Sequence, residues 1–254
     1  MTRSALADAL GHALDTDPGR PLVTYYDDST SERVELSVAT MANWVAKTAN
    51  LVVDGLGLGP GDSARVDLPR HWQLPVWVMG AWTAGVRVDL GAADGRAQLV
   101  VCGPQGPGAA PAADEVVALS LRPMGAPFEP GTLPGGAMDY GREVAAYGDR
   151  FAGPGLAARD PALTAASTVW TLPEAFEQAG ALAASWGLAS GGRLLVAAEL
   201  AAPLEVLACT LVPLSVGASV VLWRIPAGRG ADPEHQRLAA VAAAERTTAV
   251  AAAQ

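Results

Sequence analysis

Residues 56–90 read LGLGPGDSARVDLPRHWQLPVWVMGAWTAGVRVDL. Gly57 to Asp62 is a glycine-rich turn, and residues 64–68 are a short strand. Residues 74–83 are apolar almost throughout, which predicts a helix buried on most of its surface. Gly85 stops that helix and residues 86–90 read as a second strand. A strand, a helical crossover and a strand at this spacing predict parallel pairing.

The pattern returns downstream. Residues 187–222 read GLASGGRLLVAAELAAPLEVLACTLVPLSVGASVVL. At an offset of 130, Leu58, Gly61 and Val66 meet Leu188, Gly191 and Val196. The offset then becomes 132, and Gly85, Val88 and Leu90 meet Gly217, Val220 and Leu222. Pro213 falls late in the second helix and is expected to kink or end it.

Around these units the remaining elements follow from pattern. Leu6, Leu10 and Leu14 recur every four residues and predict an amphipathic helix over 2–15. Residues 21–26 and 33–36 read as a hairpin across a polar turn. Ser37 is placed to cap a helix with Val38, Met41, Val45, Ala49 and Val52 on one stripe. Residues 97–102 and 116–121 are further strands, and 103–113 and 123–134 are Gly/Pro-rich connections. Asp139 starts a short helix. Residues 162–166 form a strand, a helix runs over 172–186 with Pro173 near its start, and a last helix and strand cover 234–244 and 247–252. The expectation is an α/β fold of two related lobes of parallel-type β-sheet with flanking helices. Residues 1–120 would form the first lobe, 121–160 a connecting segment, and 161–254 a second lobe built on a repeat of 40–90.

Composition narrows the function. Half of the 254 residues are hydrophobic and the formal charge is −9. That balance argues against nucleic acid or an anionic membrane as partner. Lys47 is the only lysine, so one residue alone can serve chemistry that needs an amine. Cys102 and Cys209 lie in apolar segments as buried thiols, without disulfide or metal spacing. His12, His71 and His235 are far apart, and no Gly-x-Ser-x-Gly elbow is present. No stretch has the length of a membrane span and the N-terminus lacks a signal-peptide core, so the expected location is cytoplasmic.

The organising stretch resembles the opening of the adenylate-forming (AMP-binding) superfamily, which includes acyl-CoA synthetases, peptide-synthetase adenylation domains and luciferases. The resemblance rests on Gly57, Gly61, Asp62, Val66, Leu68, Pro69, Gly80, Ala84, Gly85, Val86, Val88 and Leu90. Asp160-Pro161-Ala162 is similar to the Asp-x-Ala that precedes the family's phosphate loop. The match runs from about residue 20 onward, onto the first half of a full-length enzyme, and the whole also looks like a short stand-alone family of this architecture. The resemblance implies a carboxylate attacking ATP, with magnesium and a Thr-Ser-Gly-Thr-Thr-Gly-x-Pro-Lys loop on the phosphates.

This chain departs from the pattern where that chemistry would sit. Residues 164–171 read TAASTVWT, without the glycines or the lysine. Backbone N–H groups then lose their close approach to an anion. The later family motifs would fall past Gln254. The expectation is therefore a non-catalytic, AMP-binding-enzyme-like protein without a cofactor, binding a protein partner or self-associating. The alternative is an adenylate-forming ligase, using ATP or AMP with magnesium, completed by a second chain. Ser167 and Thr168 stand at the loop position as the remnant candidates for contacting a phosphate. The connection from strand 162–166 to helix 172–186 reads as about five residues of loop. Trp170 within it is expected to fold back over the space a nucleotide phosphate would need.

Overall fold

The computed structural model describes residues 4–90, 97–108, 113–166, 168–225 and 231–252. The organising stretch forms β3 (Ser63–Asp67), α3 (Gln73–Ala84) and β4 (Arg87–Leu90). Before it come α1 (Ala5–Thr16), β1 (Pro21–Asp27), β2 (Glu32–Ser37) and α2 (Val38–Asn50). After it come β5 (Leu99–Cys102), β6 (Glu115–Ala118), β7 (Met138–Asp139) and the one-turn α4 (Tyr140–Glu143). The remainder is β8 (Pro161–Ala165), β9 (Thr168–Thr171), α5 (Leu172–Ser185), β10 (Arg193–Val196), α6 (Ala202–Cys209), α7 (Leu211–Ser215), β11 (Ser219–Arg224), α8 (Ala231–Ala244) and β12 (Ala249–Val250).

Two mostly parallel sheets result. One has the order β7-β6-β5-β3-β4-β8-β9 and the other β12-β10-β11-β1-β2. The hairpins β1–β2 and β8–β9 supply the antiparallel pairs among the described strands. The sheets do not follow chain order, since β1 and β2 join strands from beyond residue 190, while β8 and β9 continue the sheet of β3 and β4. The two strand–helix–strand units share one register. Ser63 pairs with Arg87 and Ala64 with Val88, while Arg193 pairs with Ser219 and Leu194 with Val220. Those are the same positions at the offsets of 130 and 132.

Helix α3 lies in the layer between the sheets, and every residue in it except Thr83 is buried. Valine and tryptophan cost up to about 0.7 kcal/mol each in a helix, but burying a side chain of that size returns about 1.5–3 kcal/mol. Burial therefore decides the helix. Gly80 lets α2 come close, because a Cβ there would sit 2.7 Å from the Thr48 methyl. Gly85 ends α3 at φ 87, and a Cβ on it would strike Pro60 at 2.9 Å. In the second unit the helix breaks at Thr210, between α6 and α7. The Pro213 ring would clash with the carbonyl four residues back, at Cys209, so the break precedes the proline.

Strand alternation assigns the faces. Val220 and Leu222 enter the main core between the sheets, while Val221 and Trp223 face outward under Val241 of α8. Leu99 and Val101 likewise point inward, and Val100 and Cys102 pack outward with Phe128.

One expectation needs correction. Residues 168–171 are not a loop: Thr168-Val169-Trp170-Thr171 forms β9, paired antiparallel with β8. Two threonines, a valine and a tryptophan favour a pleated conformation, and β8 offers the edge on which to form it. Trp170 lies cross-strand from Leu163, half-buried against the main core, while Val169 is exposed.

Candidate functional site

The hairpin β8–β9 carries residues 164–171, the stretch that the sequence resemblance sets against the family's phosphate loop. Ala165 pairs with Thr168, and Ala166 has left the strand at φ 50. Thr168 opens β9, and Ser167 lies outside the described residues. At the far end of β9, Thr171 caps α5. Its hydroxyl accepts from the Glu174 N–H at 3.4 Å, while the Glu174 carboxylate accepts from the Thr171 N–H at 2.8 Å. This reciprocal box fixes the entry to α5 directly after the hairpin.

The carboxyl ends of parallel strands are where open α/β sheets hold their ligands. Here that place carries a buried polar cluster. Arg70 leaves the end of β3 and crosses to the other sheet, where its guanidinium donates to the carbonyls of Ala197 at 2.8 Å, Ala198 at 2.7 Å and Trp223 at 3.0 Å. It also holds both carboxylate oxygens of Glu205, at 2.6 and 2.7 Å. Those carbonyls follow or end strands β10 and β11 and would otherwise lack partners. Arg70 thus clasps the two sheets together, and its donors are spent on protein.

Next to it, the His71 ring is fully buried and edge-on to Tyr25, with centroids 4.7 Å apart. His71 Nδ1 accepts from the Gln73 N–H at 3.2 Å, so the ring proton resides on Nε2, which is buried without a partner. Burial pushes the imidazole pKa down to about 3, with the Arg224 charge adding to the effect against the opposing pull of Asp27. The Tyr25 hydroxyl donates to Asp27 at 3.2 Å, and Arg224 pairs with the same carboxylate oxygen at 3.3 Å. Burial opposes the charge on Asp27, but hydrogen bonds from Ser29, the Arg224 guanidinium and the Tyr25 hydroxyl together hold its pKa low. Sequence reasoning passed over Arg70 and weighed His71 only as a metal ligand. Arg70 and His71, two adjacent nitrogen-bearing side chains just past the end of β3, were the available signal.

Burial pushes the Cys102 thiol up to about 11 and the Cys209 thiol well above its usual value, so neither is a nucleophile at neutral pH. Lys47 projects from α2, and its ammonium donates to the Tyr147 carbonyl at 2.6 Å. It also lines a cleft of about 550 Å³ between α2, the 124–127 segment and the start of α4. Smaller clefts of about 280 and 310 Å³ lie at the amino ends of the strands, around Arg87 and around Arg193. No helix among the described residues is long and apolar enough to cross a membrane.

Comparison with known proteins agrees with the geometry. No family model matches the chain. It resembles the acyl-CoA synthetase of Brucella canis with a TM-score of 0.70 and 20% identity over 95% of its length. An AMPPNP-bound nonribosomal peptide synthetase gives 0.68 at 17% identity over 96%, and a fatty acyl CoA synthetase of Mycobacterium tuberculosis gives 0.62 at 13% over 86%. The chain spans about half the length of the Brucella enzyme, 46%, and 25% and 44% of the other two. The fold is thus that of the adenylate-forming enzymes. A protein of Mycobacterium tuberculosis is 35% identical over 249 residues, 93% of either chain. At that identity, carried along almost all of both sequences, the chain belongs to the TIGR03089 family.

Proposed function

We propose that this protein is a non-catalytic relative of the adenylate-forming enzymes that works in the cytoplasm as a binding or partner-interaction module. The observation that carries this reading is the tight β8–β9 hairpin, where Ala165 pairs with Thr168. A nucleotide phosphate needs several convergent N–H donors or cations. Among the described residues, this hairpin carries the hydroxyls of Thr164, Thr168 and Thr171, the last of them capping α5, and no cation, which does not fit a triphosphate. Arg70 is occupied by three carbonyls and Glu205. Thr168, with Ser167, remains the candidate for any residual phosphate contact. The matched register of the two strand–helix–strand units also supports reading them as an internal repeat.

Isothermal titration with ATP, AMP and acyl-CoA tests the proposal, with no Mg²⁺-dependent ATP binding as the expected result. Tight binding of that kind would overturn it. A second reading is a ligase completed by another chain and using ATP and magnesium, for which the shared fold with the Brucella synthetase is the support. Pyrophosphate exchange, measured alone and with proteins encoded nearby, separates the two. Exchange in any combination favours the ligase, and none favours the binding module.

A further inference from the structure

The cleft between α2 and the 124–127 segment has the makings of a ligand site that nothing above uses. Thr40, Asn43, Trp44 and Lys47 line it. These positions are spaced by three and four and so form one stripe of α2. The core uses a different stripe, Met41, Val45, Thr48 and Ala49. The opposite wall is Pro127, Val144 and Ala145, with Met124 at the edge. At about 550 Å³ the space is in the range of small-molecule sites.

The floor of this cleft is rigid. A Cβ on Gly141 would meet the Gly125 carbonyl at 2.7 Å and Pro127 Cα at 2.9 Å, so the two backbones are in tight contact. Gly125 itself sits at φ 67 over Trp72 and Gln73. Met124 is held at φ 59, a costly conformation for a residue with a side chain, yet that side chain is 81% exposed. Trp44 is braced from behind by Trp72 at 5.3 Å, edge-on. The cavity is therefore formed before any ligand arrives, which lowers the entropic cost of binding.

Its charge is specific. The lining holds one base, Lys47, and no acid, in a protein whose formal charge is −9. The ammonium has three protons and one of them is directed at the Tyr147 carbonyl. Among the described residues no carboxylate pairs with it. One cation with Asn43 and Thr40 nearby suits a single negative charge, and the tryptophan, proline and valine walls suit an apolar body.

We propose that this cleft binds a small amphipathic monocarboxylate, with the carboxylate on Lys47 and the apolar body against Trp44. This goes beyond the reading above, because it holds whether or not the hairpin accepts a nucleotide.

Lys47 being the only lysine supplies the test. Isotopic labelling of lysine gives one side-chain signal, and it reports this cleft in the unmutated chain. A panel of short-chain alkyl and aryl monocarboxylates is titrated in, each beside its own primary amide. The expected result is a saturable shift for at least one acid, with its amide weaker by roughly tenfold or more, as a charged hydrogen bond requires. Calorimetry on Lys47→Met and Trp44→Ala, with folding verified by circular dichroism, should show the same loss. The proposal is overturned if no acid gives a saturable shift, if amides bind as well as acids, or if a folded Lys47→Met variant binds unchanged. ATP is not among the probes, so failure here leaves the hairpin reading intact.

Discussion

Acidification should destabilise this protein through one residue, His71, well before its carboxylates titrate. The imidazole is fully buried, and its pKa is pushed from 6.5 down to about 3. A histidine whose folded pKa lies below the unfolded value leaves stability whole above pH 6.5. Stability is then lost as pH falls from 6.5 towards 3, because the unfolded chain takes up the proton first. The loss from this group reaches about 1.4 kcal/mol at pH 5.5 and about 2.7 kcal/mol at pH 4.5. Against a total of about 5–15 kcal/mol for an ordinary domain, that is a large fraction. Asp27 and Glu245 have lowered pKa values, and their contributions begin to fade as pH falls through the unfolded carboxylate range, while burial raises the pKa of Glu32, which shifts stability the other way near that range. The upper part of that window, from pH 6.5 to about 5.5, is therefore where the histidine dominates the slope.

Urea unfolding followed by tryptophan fluorescence, in steps across that window, measures the slope. His71→Asn keeps an acceptor for the Gln73 N–H and removes the titration, so its stability should be offset but nearly flat where the native protein falls. If the variant loses stability as steeply as the native chain, or if the His71 ring is seen by NMR to titrate near 6.5, the burial argument is wrong.

Three further substitutions probe the frame. Arg70→Ala strands Glu205 and three carbonyls at the join of the sheets and should cost about 3–5 kcal/mol in chemical denaturation. Gly85→Ala forces a side chain onto φ 87 and into Pro60, so it should lose more than about 1 kcal/mol and lower the melting temperature. Thr171→Ala breaks the capping box at the start of α5 and should cost about 1 kcal/mol, with loss of amide protection concentrated in the first turn of that helix.

Much of this molecule is local and therefore legible from the chain. A run as apolar as residues 74–83 has nowhere to go but an interior, and Gly85 marks its end whatever surrounds it. Ser37 and Asp139 cap the helices they precede because capping needs only the next few N–H groups. The offsets of 130 and 132 translate into strand register because pairing repeats residue by residue. The absence of glycines and lysine from residues 164–171 is likewise plain in the sequence. What only the tertiary structure decided depends on neighbours distant in the chain. Thr168-Val169-Trp170-Thr171 becomes a strand because β8 presents a free edge to it. Strand β1 pairs with β11, some 200 residues away, and parallel pairing carries no local signature. Arg70 is a clasp, His71 a buried neutral base and Lys47 the charge in a preformed cleft because of what folding brings beside them. Charge, burial and hydrogen bonding at those three residues are properties of an environment, and two folded sheets with a helical layer between them create it.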